Sequence, residues 1–247
     1  MKFSIASIKG LFSAHPWLIV VVWVLLSVIL VFVSLRMRKT RKNIIRNTAY
    51  KFGRIQGWSF KEKLLSPEQL LEKYGFDFFK KGENRYAENF IEGVENPYFS
   101  LVYFDYSYEE QNSADPNDIS RFSRRFFSCA VINIKDGEMP AFRLEPETLI
   151  TKAAEKIAGG KKDIDFEQAP DFSDNYYLYG DNEDVIRNFF NMSVIRSFES
   201  HKGLTVYAEG RKILVISPLM GAEKISMFME TAQDIAGTLG YEARKKF

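Results

Sequence analysis

The sequence predicts an α+β protein: one N-terminal transmembrane helix, then one soluble domain with a mainly antiparallel sheet covered by about four helices. Three observations carry this expectation. An unbroken apolar run occupies residues 17–35. The rest of the chain mixes amphipathic helix signals with hairpin-linked strands, without the regular strand-helix-strand order of a doubly wound fold. Charge separates the two parts. The 247 residues hold 34 basic and 32 acidic side chains, a formal net charge of +2. Residues 1–47 contain Lys2, Lys9, Arg36, Arg38, Lys39, Arg41, Lys42 and Arg46 and no acid, so that stretch carries +8 and the remainder −6. A composition 46% hydrophobic and 27% charged excludes a disordered or collagen-like chain, and a single cysteine excludes a disulfide scaffold or a cysteine-based zinc ribbon.

The run at 17–35 is nineteen residues long and its only polar members are Ser27 and Ser34. At about 1.5 Å per residue it spans roughly the 30 Å hydrocarbon layer of a bilayer. It exceeds the apolar stretch of a signal peptide, no small-residue cleavage site follows, and Arg36, Arg38, Lys39, Arg41 and Lys42 form a stop-transfer pattern. Lys and Arg near the ends set orientation. Two lysines precede the helix and eight basic residues lie between Arg36 and Arg54, so the larger charge stays in the cytoplasm. The expected organisation is an external tail (1–15), a transmembrane helix (16–36), a basic juxtamembrane segment (37–49) and a cytoplasmic domain (50–247). Arg36, Arg38, Lys39, Arg41, Lys42 and Arg46 are the membrane-proximal basic residues. Their ordinary role is this orientation signal, and their sharper role is contact with anionic lipid.

Four helices follow. Ser66, Pro67 and Gln69 supply an N-cap, a proline at the first helical position and a capping box, Leu65 and Leu70 have the spacing of a hydrophobic staple, and Gly75 ends the helix. A second starts near Pro146, carries Leu149, Ile150, Ala153 and Ile157 on one face, and stops at Gly159-Gly160. A third starts at Asp181 with acids in its first turn and a stripe of Val185, Ile186, Phe189, Met192 and Ile195. The last follows Pro218 and Gly221, carries Ile225, Phe228, Met229, Ala232, Ile235 and Leu239, and ends at Gly240. Strands are expected at 85–94, 98–109, 122–134, 139–144, 175–180, 203–209 and 211–217, the last two forming a hairpin that turns at Glu209-Gly210-Arg211-Lys212. A polar loop covers 111–118.

Several stretches, taken in order, resemble a family of uncharacterised bacterial proteins with one N-terminal transmembrane helix and a cytoplasmic domain. They are Asn89-Phe90-Ile91-Glu92-Gly93, Phe104-Asp105-Tyr106-Ser107-Tyr108, Pro140-Ala141-Phe142-Arg143-Leu144-Glu145-Pro146, Asp163-Ile164-Asp165-Phe166-Glu167, and Phe172-Ser173 ahead of Tyr177-Leu178-Tyr179-Gly180. The resemblance covers roughly 17–240. It implies bacterial membrane anchoring and a single domain, and brings no catalytic residues with it.

No catalytic set stands out. Residues 163–184 carry eight carboxylates in 22 positions, among them Asp163, Asp165 and Glu167, the candidates for a metal site. The spacing fails an EF-hand: Gln168 stands where glycine is needed and Asp174 where glutamate is usual. If 163–167 is extended, Ile164 and Phe166 point inward and the acids point to water. A nucleophile with a histidine base would need Cys129 and His201, yet Cys129 lies in an apolar strand and His201 in a polar turn. Lys161-Lys162 follows a helix and two glycines, the reverse of a P-loop. Arg121, Arg124 and Arg125 form a compact basic group that reads as surface. Tyr98, Tyr103, Tyr106, Tyr108, Tyr176, Tyr177 and Tyr179 gather near strands, as core or as a ligand groove. A soluble part at −6 disfavours nonspecific nucleic-acid binding.

The sequence thus points to a membrane-anchored cytoplasmic binding module. Its expected partners are the bilayer, through residues 16–36, and a protein near the membrane, with no cofactor. The alternative is a metal-assisted hydrolase that uses the carboxylates of 163–184.

Overall fold

The structure is a computed structural model that describes residues 17–93, 97–112, 122–147 and 163–245. The chain divides into two compact units, Met1–Ile44 and Ile45–Phe247. Helix α1 (Trp17–Gln56) contains the apolar run and continues through the basic residues that the sequence assigned to a separate juxtamembrane segment. It is long and apolar enough to cross a membrane, and among the described residues nothing buries its apolar stretch. The two hydroxyls in the run are satisfied inside the helix. Ser27 Oγ donates to the Trp23 carbonyl and Ser34 Oγ to the Val31 carbonyl, each at 2.8 Å. In hydrocarbon, which offers no other partner, this local bonding would leave the run without bare polar groups.

The second unit is built on one sheet of eight strands, all neighbours antiparallel, in the order β1-β2-β3-β4-β8-β7-β5-β6. The strands are β1 (Ser59–Lys61), β2 (Glu83–Glu92), β3 (Phe99–Gln111), β4 (Phe122–Ile134), β5 (Met139–Pro146), β6 (Tyr176–Gly180), β7 (Thr205–Gly210) and β8 (Lys212–Pro218). Seven match the expected strands. The short edge strand β1, closed by a Lys61–Glu92 ion pair at 2.7 Å, has too few residues for a period to show. The hairpin turns as expected, with Glu209 opposite Lys212 and Gly210 at φ +58°, the positive φ that a type II′ turn requires.

Both faces of the sheet are covered, so its central strands are apolar on both sides and their alternation is blurred. On the first face Leu101, Tyr103, Ala130, Ile132, Val215, Val206 and Leu144 join Ile45 and Ala49 of α1 and the residues of four later helices in one core. On the second face Phe104, Tyr106, Val131, Leu214 and Tyr207 pack under α2 (Pro67–Tyr74) and a 3-10 turn (Asp77–Lys80) that inserts Phe78 and Phe79. Helix α2 carries the expected capping box. Gln69 N donates to Ser66 Oγ at 3.2 Å, Ser66 N donates to Gln69 Oε1 at 2.8 Å, and Gly75 closes the helix at φ +81°.

Three helix expectations need correction. Helix α3 (Pro170–Asn175) stands where no helix is expected, with Pro170 at its first position as its local signal. The helix expected from Asp181 is two, α4 (Glu183–Phe189), capped by Asn182, and α5 (Met192–Ser200). Between them Phe190 leaves helical geometry to seat its ring 4.8 Å from Phe142 and 5.9 Å from Phe198. Asn191 then starts a new helix by accepting from Ser193 N and Val194 N at 2.9 and 3.3 Å. The break re-phases the stripe, leaving Val185 and Met192 exposed and burying Val194 and Phe198. Helix α6 (Ile225–Arg244) runs past Gly240, whose missing side chain lets the helix lie against Ile134 rather than end. Pro146 closes β5, and the helix expected at 149–157 with its glycines and Lys161-Lys162 lies outside the described residues, as does most of the loop at 111–118.

These assignments set a hierarchy of stability. Phe190→Ala should destabilise the domain by about 3–5 kcal/mol through the cavity it leaves, against about 1 kcal/mol for Ser66→Ala at the α2 cap. Denaturant unfolding of the two variants of the full chain in detergent would measure both.

Candidate functional site

Strand β5 is the origin of the site. Its Phe142 and Leu144 enter the first core, and alternation sends Ala141, Arg143 and Glu145 to the opposite face. Arg143 pairs with Tyr179 of β6 on one side and Tyr207 of β7 on the other, so three long side chains form one row across the sheet. Phe142 pairs with Gly180 and Ala208, so the residues that follow these two, Asp181 and Glu209, flank the small Ala141. The result is a cleft of about 220 Å³ over Ala141, with Arg143, Tyr179 and Tyr207 behind it and Gly75, Phe76 and Asp77 on the remaining side.

The polar groups of the cleft are ordered. Arg143 Nη2 meets Asp77 Oδ2 at 2.8 Å, and its guanidinium lies 5.0 Å from the centre of the Tyr207 ring. Asp77 also accepts from Lys80 Nζ at 2.8 Å, and that bond, with the guanidinium, holds its carboxyl below the ordinary range. Tyr179 and Tyr207 both donate to Glu145 Oε1, at 3.2 and 3.0 Å. Burial, then the Glu145 charge, pushes Tyr179 up to about 12 and raises Tyr207 as well. Both phenols therefore stay protonated, and keep donating, at neutral pH. The lining presents Asp77, Asp181 and Glu209 against Arg143, an acidic, hydrogen-bonding surface suited to a cationic or hydroxyl-bearing group.

The residues singled out from the sequence are dispersed. Asp163 is half-buried and accepts from Leu178 N at 2.9 Å beside the β6 edge. Asp165 and Glu167 are exposed while Ile164 and Phe166 are buried, the alternation expected of an extended segment. Among the described residues no three of His, Cys, Asp and Glu gather closely enough to share a metal ion. Cys129 is buried in the second core, its thiol raised by burial and then by Asp105. His201 ends α5 on the other face, its Nδ1 2.8 Å from the Ser197 carbonyl oxygen. Arg124 pairs with Glu109 at 3.1 Å and Arg125 with Glu110 at 3.0 Å across the β3–β4 ladder, and Arg121 lies outside the described residues. Of the tyrosines, Tyr103, Tyr106, Tyr108 and Tyr176 are core, and Tyr179 reaches the cleft. Sequence reading did not single out Asp77, Arg143, Glu145 or Tyr207 as site residues. The available signal was the alternation of β5, which places two opposite charges on one face beside two tyrosine-bearing strands.

Neither a protein-family model nor a curated protein matches the chain, so the resemblance drawn from residues 89–180 rests on those residues alone. The crystal structure of the mycobacterial trehalose monomycolate transport factor A is similar over 81% of this chain and 92% of that one, at 12% identity and a TM-score of 0.49. A likeness that distant carries no functional argument.

Two outcomes follow from the geometry. Burial raises the Asp163 carboxyl to about 6, outweighing the Leu178 N–H that lowers it. The folded state thus holds that proton more tightly than the unfolded one. The resulting stability is full below the unfolded value near 3.8 and is lost as pH rises through about 6. Asp163→Asn keeps an oxygen for Leu178 N and should be more stable than the parent at pH 7, with the gap closing by about pH 4 in paired melting curves. Arg143→Gln removes a half-exposed ion pair and a ring contact, and should cost about 1 kcal/mol by the same measurement.

Proposed function

We propose that the protein is a single-pass bacterial inner-membrane protein whose C-terminal domain lies in the cytoplasm and binds a protein or small ligand close to the membrane. The observation that carries the anchor is the exposure of α1. Its apolar stretch has no cover among the described residues, whereas a soluble chain of this length buries its large apolar surfaces. Orientation is supported by the excess of basic residues after the apolar run over the two lysines before it. Binding is supported by the cleft, which offers acceptors, a guanidinium and aromatic walls.

The cleft gives the reading a direct test. Ala141 is exposed and lies on the cleft floor, so Ala141→Trp should fill the space without entering either core. Partners captured by mild crosslinking in cells should be lost from this variant and kept by the parent. Partners retained by Ala141→Trp would move binding to another surface. For orientation, a cytoplasm-active reporter fused at Phe247 should be active and a periplasm-active one silent. The reverse pattern would overturn the topology.

A further inference from the structure

We infer that the basic collar directly after the apolar run is a binding site for anionic phospholipid headgroups of the bilayer, an inference that rests on the membrane-spanning reading above. The apolar run ends at Leu35. The headgroup zone adds roughly 5–8 Å on each side of a 30 Å hydrocarbon core, which at 1.5 Å per residue is about four or five helical positions. Those positions hold Arg36, Arg38 and Lys39, all exposed and all helical. Helical spacing places Arg36 and Lys39 as neighbours on one side and Arg38 on the other, so lipid phosphates can be met from both sides of the helix.

Charge complementarity names the occupant. Helix α1 contains no Asp or Glu anywhere along its 40 residues, so nothing within it neutralises the collar. Two of the three groups are guanidiniums, whose fork of N–H donors matches two oxygens of one phosphate. Long stems let all three heads rise to phosphate depth while their methylenes stay beside acyl chains. A bare orientation signal needs only charge counted over the loop. A headgroup site makes a stricter demand, that lipids of opposite charge be enriched around the helix and that the enrichment depend on these three residues.

The test uses the full chain reconstituted in mixed phosphatidylcholine and phosphatidylglycerol vesicles with a trace of either lipid spin-labelled. The fraction of motionally restricted probe reports association with the helix. Phosphatidylglycerol should be favoured over phosphatidylcholine by about twofold or more, and the preference should fall to parity near 1 M salt, where screening acts within about 3 Å. The triple variant Arg36→Gln/Arg38→Gln/Lys39→Gln should also show parity, whereas Arg36→Lys/Arg38→Lys, which keeps the charge and loses both forks, should show a preference between that of the parent and parity. Equal association of both lipids with the parent protein overturns the inference, and so does a preference that the triple glutamine variant retains. Carbonate extraction of the parent from the same vesicles reports on the anchor separately. Release would overturn the spanning reading itself, while retention with equal lipid association would overturn only the headgroup site.

Discussion

The second unit depends on one ladder. β3 and β4 pair over thirteen residues, from Phe99 opposite Ile134 to Gln111 opposite Phe122, and every other strand is added outward from them. Antiparallel pairing satisfies the backbone of these central strands, which leaves side-chain burial to decide the rest. Because the ladder carries Tyr103 and Ile132 on one face and Phe104 and Val131 on the other, neither face can be left to water. The four helices over the first face and the α2 and 3-10 cover over the second answer the same requirement.

Within that apolar ladder lies a buried polar cluster that makes the register unique. Asp105 accepts from the Tyr103 hydroxyl at 2.5 Å and from Asn89 Nδ2 at 2.9 Å, and the Tyr103 hydroxyl lies 3.2 Å from Ser128 Oγ. Ser128 Oγ in turn accepts from Met220 N at 3.1 Å, tying the start of the β8–α6 connection to the sheet. Asn89 can reach Asp105 because it occupies a bulge in β2 at φ +57°, a conformation that asparagine tolerates better than most residues. A one-residue slip of β2 or β3 would break the Asn89–Asp105 or the Tyr103–Ser128 contact inside the apolar core, at a cost of about 1–3 kcal/mol each. The cluster therefore stabilises one pairing over its neighbours.

The cleft arises where this cover runs out. The 3-10 turn shields Tyr207 with Phe78 but stops short of Ala141, so the ends of β5, β6 and β7 keep an open, polar patch on the second face. Arg143 bridges that edge to Asp77, which lets one residue serve both the cover and the site. The pair is half-exposed, so its hold on stability is small and its part in shaping the cleft is the larger one.

Sequence alone determined what local pattern can encode. The length and hydropathy of residues 17–35, the Ser66 capping box, seven of the eight strands and the turn at Gly210 depend on neighbours within a few positions, and periodicity reads such relations directly. Even the inward facing of Ile164 and Phe166, which turned Asp165 and Glu167 to water, follows from period two. The break at Phe190 was different. Val185 to Ile195 continues a helical stripe in sequence, and only the aromatic pocket formed by Phe142 and Phe198 makes leaving the helix favourable. The cleft was likewise decided by tertiary structure. Asp77, Arg143, Tyr179 and Tyr207 are brought together because β5 pairs between β6 and β7 while α2 and its turn cover the neighbouring part of the same face, and strand order across a sheet is a long-range outcome that no local spacing records.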